Sequence, residues 1–575
     1  MNPELLLAHF NRISDAPDAI PRLRRFILSL AVRGKLVEQH PTDEPVSELL
    51  KSLHAERDRL VKEKQIKAYR ELPPIKRKDA PFSIPSGWQW RRFIEVAAIQ
   101  SNLVNPSKYE ALPHIAPDNI ESETGRLLPY TTVGASAVFS AKHLFFAGCI
   151  LYSKIRPALA KATMVDFDGL CSADMYPILP FINREYLHKY MLSEAFVHQS
   201  VSEDNRVAMP KINQVSLSKI VVPVPPLAEQ HRIGTKVDEL MALCDRLGLA
   251  RIERESRLDR LTAASHHHLN NGADGDALRK HARFFIGHLP PLTTRPDQIK
   301  QLRQTILNLA IRGKLVPQQP HDEPASELLR RIRLEEQRLV EEGAIKRQKT
   351  HGPLSRDDTP FGLPPQWEWV RLSTITDVQD PNPSHRMPHY VHSGGVPFIS
   401  SENFVEGDQI NFQIGKRVAQ QTLNEQIARF SILSGALAFS RIGTIGKSRF
   451  LPMPRTYAIS HAVCVINPID QSSLSMQFLR ATLAVEAILA LAHRGTRSIG
   501  VPDLGMAVIR SMAIPLPPLA EQYRIVAKVD ELIRLCDQLE AQLTSAQTDT
   551  SRLLEAVLHD ALSAGSAHLD PVSVA

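Results

Sequence analysis

Cysteine is scarce in this sequence: Cys149, Cys171, Cys244, Cys464 and Cys536 are five of 575 residues, and no two stand in a CxxC spacing. That excludes a zinc ribbon and a disulfide framework and fits a reducing compartment, so a cytoplasmic chain is expected. Long apolar runs are missing too. No stretch approaches about eighteen uninterrupted apolar residues, and the N-terminus MNPELLLAHFNRISD has no cationic start leading into an apolar core, so neither a membrane span nor an export signal is expected. Neither sign of charge dominates. With 69 Lys and Arg against 62 Asp and Glu, the formal charge is +7, which fits an anionic partner without requiring one. An apolar fraction of 43% is ample for real cores, and the length suggests about three or four domain-sized units.

Catalytic strings are absent as well. Amino methylation needs a loop of the N/D-P-P-F/Y kind, and VNPS, PNPS and INPI lack the second proline and the aromatic. SRIGTIGKS, Ser440 to Ser448, has Gly443 too close to Gly446 for a P-loop, and no glycine-rich turn after a strand offers a dinucleotide site. Pro502 and Asp503 begin a nuclease-like string that nothing completes. His266, His267 and His268 are adjacent on a helix, so they do not converge on one ion and read as a polar helix end before NGADGD. The expectation is a chain with no catalytic residues, no metal site and no cofactor site.

What is present is a repeat. LAVRGKLVEQHPTDEPVSELL from Leu30 returns as LAIRGKLVPQQPHDEPASELL from Leu309, a shift of 279 that also places Trp88 and Trp90 on Trp367 and Trp369. A second block, VPVPPLAEQHRIGTKVDELMALCDRL from Val222, returns from Ile514 as IPLPPLAEQYRIVAKVDELIRLCDQL, with Glu229 on Glu521. Between the blocks, roughly 91–221 and 370–513, the halves diverge almost completely. Apolar or small residues then step by four and three from Ile525 through Val529, Leu532, Cys536, Leu539 and Leu543 to Val557, the seam of a coiled coil. The first copy keeps Ile233, Val237, Leu240, Cys244 and Leu247 and weakens at Gly248. About 35 to 40 residues per rod predict roughly 55 Å of helix, and two rods related by a repeat pack most simply antiparallel.

In the variable blocks, CILYSKI, MYPILPF and KIVVPVP, then ALAFSRI, HAVCVINP and MAIPLP, are short, β-branched runs bounded by Gly or Pro. EYLHKYMLSEAFVHQS and MQFLRATLAVEAILALA are helical. The expected fold is therefore mixed α/β (α+β): two globular domains joined by two long antiparallel coiled-coil-like helices, with an internal pseudo-twofold repeat. Expected segments are 1–79 helical, 80–225 first variable domain, 226–358 central constant region, 359–517 second variable domain and 518–575 the C-terminal long helix.

The two copies of PPLAEQ-R---KVDEL--LCD-L and the paired LA-RGKLV--------EP-SELL segments closely resemble the specificity (S) subunit of Type I restriction-modification systems over nearly the whole chain. The resemblance implies two target recognition domains, each reading one half of a split site on double-stranded DNA, and helices that space them and dock two modification (M) subunits. It further implies S-adenosylmethionine-dependent adenine-N6 methylation in the M partners, and ATP- and Mg-dependent translocation and cleavage in restriction (R) partners. Alternatives are the recognition subunit of a Type IIB-like or methylation-only complex and a stand-alone DNA-modifying enzyme. Independently of the family, a pseudo-twofold chain places two reading heads on a duplex, and unlike heads predict an asymmetric, interrupted target.

Two pairs of loops are the candidates for DNA contact. SKIRPALAKA offers Ser153, Lys154, Arg156 and Lys161; SRIGTIGKS offers Ser440, Arg441, Thr444 and Lys447. Each follows an apolar strand-like run and spaces its cations with small residues that let a backbone approach phosphates. EDNRVAMPKINQ adds Asn205, Arg206, Lys211 and Gln214, and HRGTRSIGVPDL adds Arg494, Thr496, Arg497 and Ser498, types that read base edges. The four tryptophans sit at matching junctions and read as core anchors, with both rings of each pair on one face of a strand. LHAERDRLVKEKQIK and RRIRLEEQRLVEEGAIK read as amphipathic helices packing on the rods.

Overall fold

A computed structural model describes residues 16, 18–68, 72–202, 210–271, 275–347, 352–382, 387–405, 409–493 and 503–563. The chain packs into two units, one of residues 1–255 with 546–575 and one of residues 256–545. The expected boundaries at 226 and 518 mark where the long helices begin, whereas the units divide inside those helices.

The repeat makes the same elements twice. Helices α1 (Ala19–Val32), α2 (Val46–Lys62) and α3 (Leu227–Asn271) correspond to α4 (Pro296–Ile311), α5 (Ala325–Glu341) and α6 (Leu519–Ser563). Both long helices run 45 residues, about 68 Å at the usual rise, longer than the heptad pattern alone predicts. The first passes straight through Gly248, because a helical glycine is a weakness that packed flanks override.

The short helices cover the apolar seam. In the first unit Phe26 and Leu30 of α1 pack on Leu554, Val557 and Leu558 near the end of α6, while Ile27, Leu28 and Ala31 share a core with Ile233, Val237 and Cys244 of α3. Arg251 reaches the Ala16 carbonyl and Lys35 the Leu562 carbonyl. Thus α3 runs against the direction of α1 and α6 runs with it. In the second unit Ile299 and Ile306 of α4 meet Ile525, Val529 and Cys536; Arg295 pairs with Asp259 and Thr305 with His266. Here α6 opposes α4 and α3 follows it. Within each unit, therefore, the two long helices are antiparallel.

Helix α5 packs elsewhere than expected. Ala325, Leu329 and Ile332 of α5 share their core with Val370, Leu372 and Ile375 of the second variable domain, not with the rod. Helix α2 does both: Leu49, Leu50 and Leu53 share the core that holds Ile233 and Val237 of α3, and its Arg57 guanidinium donates to the Ile94 carbonyl of the variable domain. A charged, amphipathic pattern tells which face is buried but not which neighbour buries it.

Each variable domain is built on a four-stranded antiparallel sheet. In the first, β1 (Gln89–Arg92), β2 (Ala97–Ile99), β3 (Ile150–Ser153), β4 (Ala162–Met164), β5 (Met175–Pro180) and β6 (Val221–Val224) give the order β2-β5-β3-β4, with β1 paired to β6 apart. In the second, β7 (Glu368–Arg371), β8 (Thr376–Gln379), β9 (Leu437–Ser440), β10 (Ser448–Phe450), β11 (Val463–Pro468) and β12 (Ala513–Leu516) repeat it as β8-β11-β9-β10 with β7 on β12. The continuous apolar runs are these strands because both faces are covered. Divergence is concentrated in the second sheets, five-stranded in the first domain and three-stranded in the second. Each helical stretch of the variable domains is two helices: Arg184–Leu192 and Glu194–Ser202, then Met476–Leu483 and Glu486–His493.

The constant blocks recognise each other across the domains they flank. The Trp88 indole donates to Glu229 Oε2 at 3.0 Å, and the Trp367 indole to Glu521 Oε2 at 3.0 Å. Arg232 pairs with Asp43 at 2.6 Å and Arg524 with Asp322 at 2.5 Å. Gln230 and Gln522 accept from the Asn183 and Ser475 backbones. Gly34 (φ +68°) and Gly313 (φ +65°) pass so close to Pro85 and Pro364 that a Cβ would lie 2.5 and 2.4 Å away, so only glycine fits. RGKLV and LAEQ-R recur together because they are two sides of one joint. Trp88 and Trp367 are buried anchors as expected. They precede β1 and β7 rather than lying in them. Trp90 and Trp369 are half-buried instead, against Phe82 and Phe361.

Candidate nucleic-acid interface

The loops 154–161 and 441–447 both connect the inner strand of the main sheet to its edge strand. Antiparallel pairing closes each at its base: Ser153 N donates to the Lys161 carbonyl at 3.0 Å, and Ser440 N to the Lys447 carbonyl at 2.8 Å. Backbone bridges then bring the second loop of each domain alongside, joining Ile155 to Lys211 and Ile442 to Asp503. Ile212 N donates to the Lys154 carbonyl and Leu504 N to the Arg441 carbonyl, both at 2.9 Å. So the described end of the second candidate segment lies beside the first loop in each domain, and Lys154 and Arg441 occupy equivalent places.

Side chains on this common backbone differ. In the first domain Arg156 is exposed at the loop tip with a left-handed backbone, φ +49°, a conformation that disfavours a non-glycine residue and marks sites where the surroundings hold a residue in place. The Lys154 ammonium lies 5.0 Å from the Tyr176 ring centroid. Burial, and then neighbouring Lys211, hold it below the ordinary lysine value, with Asp174 acting against them. Lys211 pairs with Asp174 at 2.6 Å, Lys161 donates to the Pro117 carbonyl, and exposed Gln214 opens the helix Gln214–Lys219.

In the second domain the left-handed turns fall on Gly443 and Gly446. Arg441 is buried, its side chain only 4% exposed, between Asp380 at 3.5 Å and Asp503 at 3.3 Å. Exposed cation and hydroxyl come instead from Lys447 and Thr444. Ser153 and Ser440 are both buried, and their hydroxyls bond inside their own loops, to the Ile155 carbonyl and the Lys447 amide. Asn205, Arg206, Arg494, Thr496, Arg497 and Ser498 lie outside the described residues.

Sequence reasoning missed Asp174, Tyr176 and Asp380, which reach the loops only through strand pairing and carry no local signal. Asp503, met in the sequence as the start of a nuclease-like string, is the partner of Arg441. His266 is buried rather than at a solvated helix end, bonded to Thr305 at 2.8 Å and 5.0 Å from the Phe285 ring. Among the described residues no three His, Cys, Asp or Glu side chains are grouped to hold a metal, and no helix is long and apolar enough to cross a membrane.

The family model described as the Type I restriction modification DNA specificity domain matches residues 85–253 and 364–546, ending inside each long helix close to where the units divide. The chain is 30% identical over 565 residues to the Type I restriction enzyme EcoAI specificity subunit of Escherichia coli, covering 94% of each chain. It is 29% identical over 562 residues to the EcoEI specificity subunit of the same organism, again 94% of each. A chain from the solved structure "Structural basis underlying complex assembly and conformational transition of the type I R-M system" shares the fold at TM-score 0.51 and 20% identity, covering 84% of this chain and 99% of that one. These relatives are recognition components rather than catalytic ones. The chain belongs to the specificity subunits of Type I restriction-modification systems.

Proposed function

We propose that this chain reads an asymmetric, interrupted DNA sequence through its two recognition domains and directs partner subunits to it. The partners are two adenine-N6 methyltransferase subunits, which use S-adenosylmethionine, and endonuclease/translocase subunits, which use ATP and Mg. One observation carries the reading: both domains set the first candidate loop and the described end of the second side by side on the same β-scaffold, yet fill that place with different side chains. Equal frames with unlike contents suit a target whose halves differ in sequence. Arg156, Lys154, Lys211 and Gln214 form the first contact set, and Thr444 and Lys447 the second, with cations on phosphates and Arg156 placed for guanine O6 and N7. Each long helix begins in one unit and ends in the other, so helix length is read as the determinant of the gap between half-sites.

Methylation mapping of host DNA tests this. Two short blocks with a fixed unspecified gap are expected; replacing residues 93–220 with a foreign domain changes one block only, and a heptad inserted in both long helices changes the gap alone. Unaltered methylation after the domain exchange overturns the reading.

A further inference from the structure

The two copies of the repeat differ in charge along one continuous stretch, from the last turn of α2 to the turn before β1. Lys62, Lys64, Lys67, Lys76, Arg77 and Lys78 are all exposed, and among the described residues none of them makes a salt bridge. At the shift of 279 their counterparts are Glu341, Gly343, Lys346, Ser355, Arg356 and Asp357. At these positions six positive charges stand against a net charge of zero, and over the whole of 62–78 and 341–357 the net charges are +5 and +1.

Folding does not ask for four of these cations, because the second copy makes the same structure with Glu341, Gly343, Ser355 and Asp357 in place of Lys62, Lys64, Lys76 and Lys78. Helix α2 ends at Lys62 and α5 at Glu341. Lys64 N donates to the Val61 carbonyl as Gly343 N does to the Val340 carbonyl. Asp79 accepts the Lys76 amide at 3.1 Å as Asp358 accepts the Ser355 amide at 2.9 Å. A cation at the end of a helix is favourable for the dipole, yet α5 ends on Glu341 and Glu342. Lys64 is the sharpest case. Its φ is +59° at the position where the second copy has Gly343 at +70°, so a lysine is held in the left-handed conformation that glycine adopts freely. Strain of this kind at one copy of a duplicated turn marks a side chain retained for what it meets.

The surroundings show what that is. Lys64 and Lys67 line a cavity of about 800 Å³ that is also lined by Gln214, the last residue of the first domain's second candidate loop, and by Val215 and Ser218 of the helix it opens. Lys76 and Arg77 line a second cavity of about 880 Å³, with Arg91 and Arg92 of β1. Exposed ammonium groups without carboxylate partners, continuous with a base-reading surface, suit the phosphates of a duplex running on past the half-site. Resting on the reading above, we propose that Lys62, Lys64, Lys76 and Lys78, together with Lys67 and Arg77, bind DNA backbone phosphates flanking the half-site read by the first domain, a contact stronger on this side because the second copy keeps a cation only at the last two, as Lys346 and Arg356.

The variant Lys62→Glu/Lys64→Gly/Lys76→Ser/Lys78→Asp writes the second copy's residues into the first, so its fold is already demonstrated within the same chain. In the assembled complex on a duplex carrying the mapped target, it is expected to bind roughly tenfold or more weakly near physiological salt. The slope of log affinity against log salt is expected to fall by about two to four, since each phosphate contact contributes about 0.9. Preference for target over non-target duplex stays as it was, and hydroxyl-radical footprints lose protection on one flank only. If the unaltered complex shows no target preference, the functional reading fails, and this inference with it. Target preference with an identical salt slope and footprint in the variant overturns this inference alone. So does loss of a protein partner from the variant with DNA binding unchanged on reassembly, which would assign the cations to an acidic protein face.

Discussion

The first unit closes α1 on the end of α6 with Phe26 against Leu558, whereas the second unit closes α4 on the end of α3 with Thr305 bonded to His266. By the repeat shifts these are the same two positions. An apolar pair and a hydrogen-bonded polar pair therefore hold equivalent joints. The loops teach the same lesson: Lys154 and Arg441 share a backbone position, but one guards an open basic surface and the other is locked between two carboxylates. Duplicated backbone geometry is preserved by contacts inside the constant blocks, so residues that merely touch those blocks are free to diverge in chemistry.

The largest expected effects fall where the two halves are alike. Trp88→Ala and Trp367→Ala each remove a buried indole and the hydrogen bond it gives to a buried glutamate, so each is expected to destabilise its own unit by about 4 kcal/mol. Calorimetry should show one transition falling while the other holds, and unequal losses would break the equivalence of the two joints. Next comes Arg441→Ala, which strands Asp380, 15% exposed, and is expected to lower the stability of the second unit by about 3 kcal/mol; Lys154→Ala, at the equivalent position, should change the first unit by under about 1 kcal/mol. Chemical denaturation of both variants tests that contrast.

Arg156→Ala sharpens it from the other side. With the side chain exposed, the melting temperature is expected to stay put while target binding weakens by about 1–3 kcal/mol, read by competition between target and non-target duplexes. The smallest effect is a pH slope. Burial holds the His266 imidazole down to about 4, against 6.5 in the unfolded chain, so unfolding takes up a proton anywhere between those values. Stability of the second unit is therefore lost as pH falls from 6.5 towards 4. His266→Leu with Thr305→Phe, which installs the first unit's pair, should flatten the melting temperature across that window.

Much of this was legible beforehand because its signals are local. The paired motifs gave away the repeat, β-branched runs bounded by proline gave the strands of both main sheets, and small residues between cations gave the two loops. What stayed hidden depends on neighbours distant in the chain. Asp174 lies 37 residues before Lys211 and Asp380 61 before Arg441, separations spanned only once the strands pair. Arg441 is the clearest instance: its string reads as a contact residue, and only the approach of Asp380 and Asp503 shows it enclosed. The docking of α5 was misjudged for a related reason, since amphipathicity orients a helix without choosing its partner.

Strands β1 and β6, like β7 and β12, are the first and last pieces of each recognition domain and lie hydrogen-bonded side by side, Gln89 opposite Val224 and Glu368 opposite Leu516. Each domain is thus an interchangeable cassette whose two ends emerge one ladder spacing apart, about 4.8 Å. A crossover placed within each of these strand pairs would keep the register of the ladder whatever sequence lies between, so the frame need not be rebuilt when the interior of a domain is exchanged.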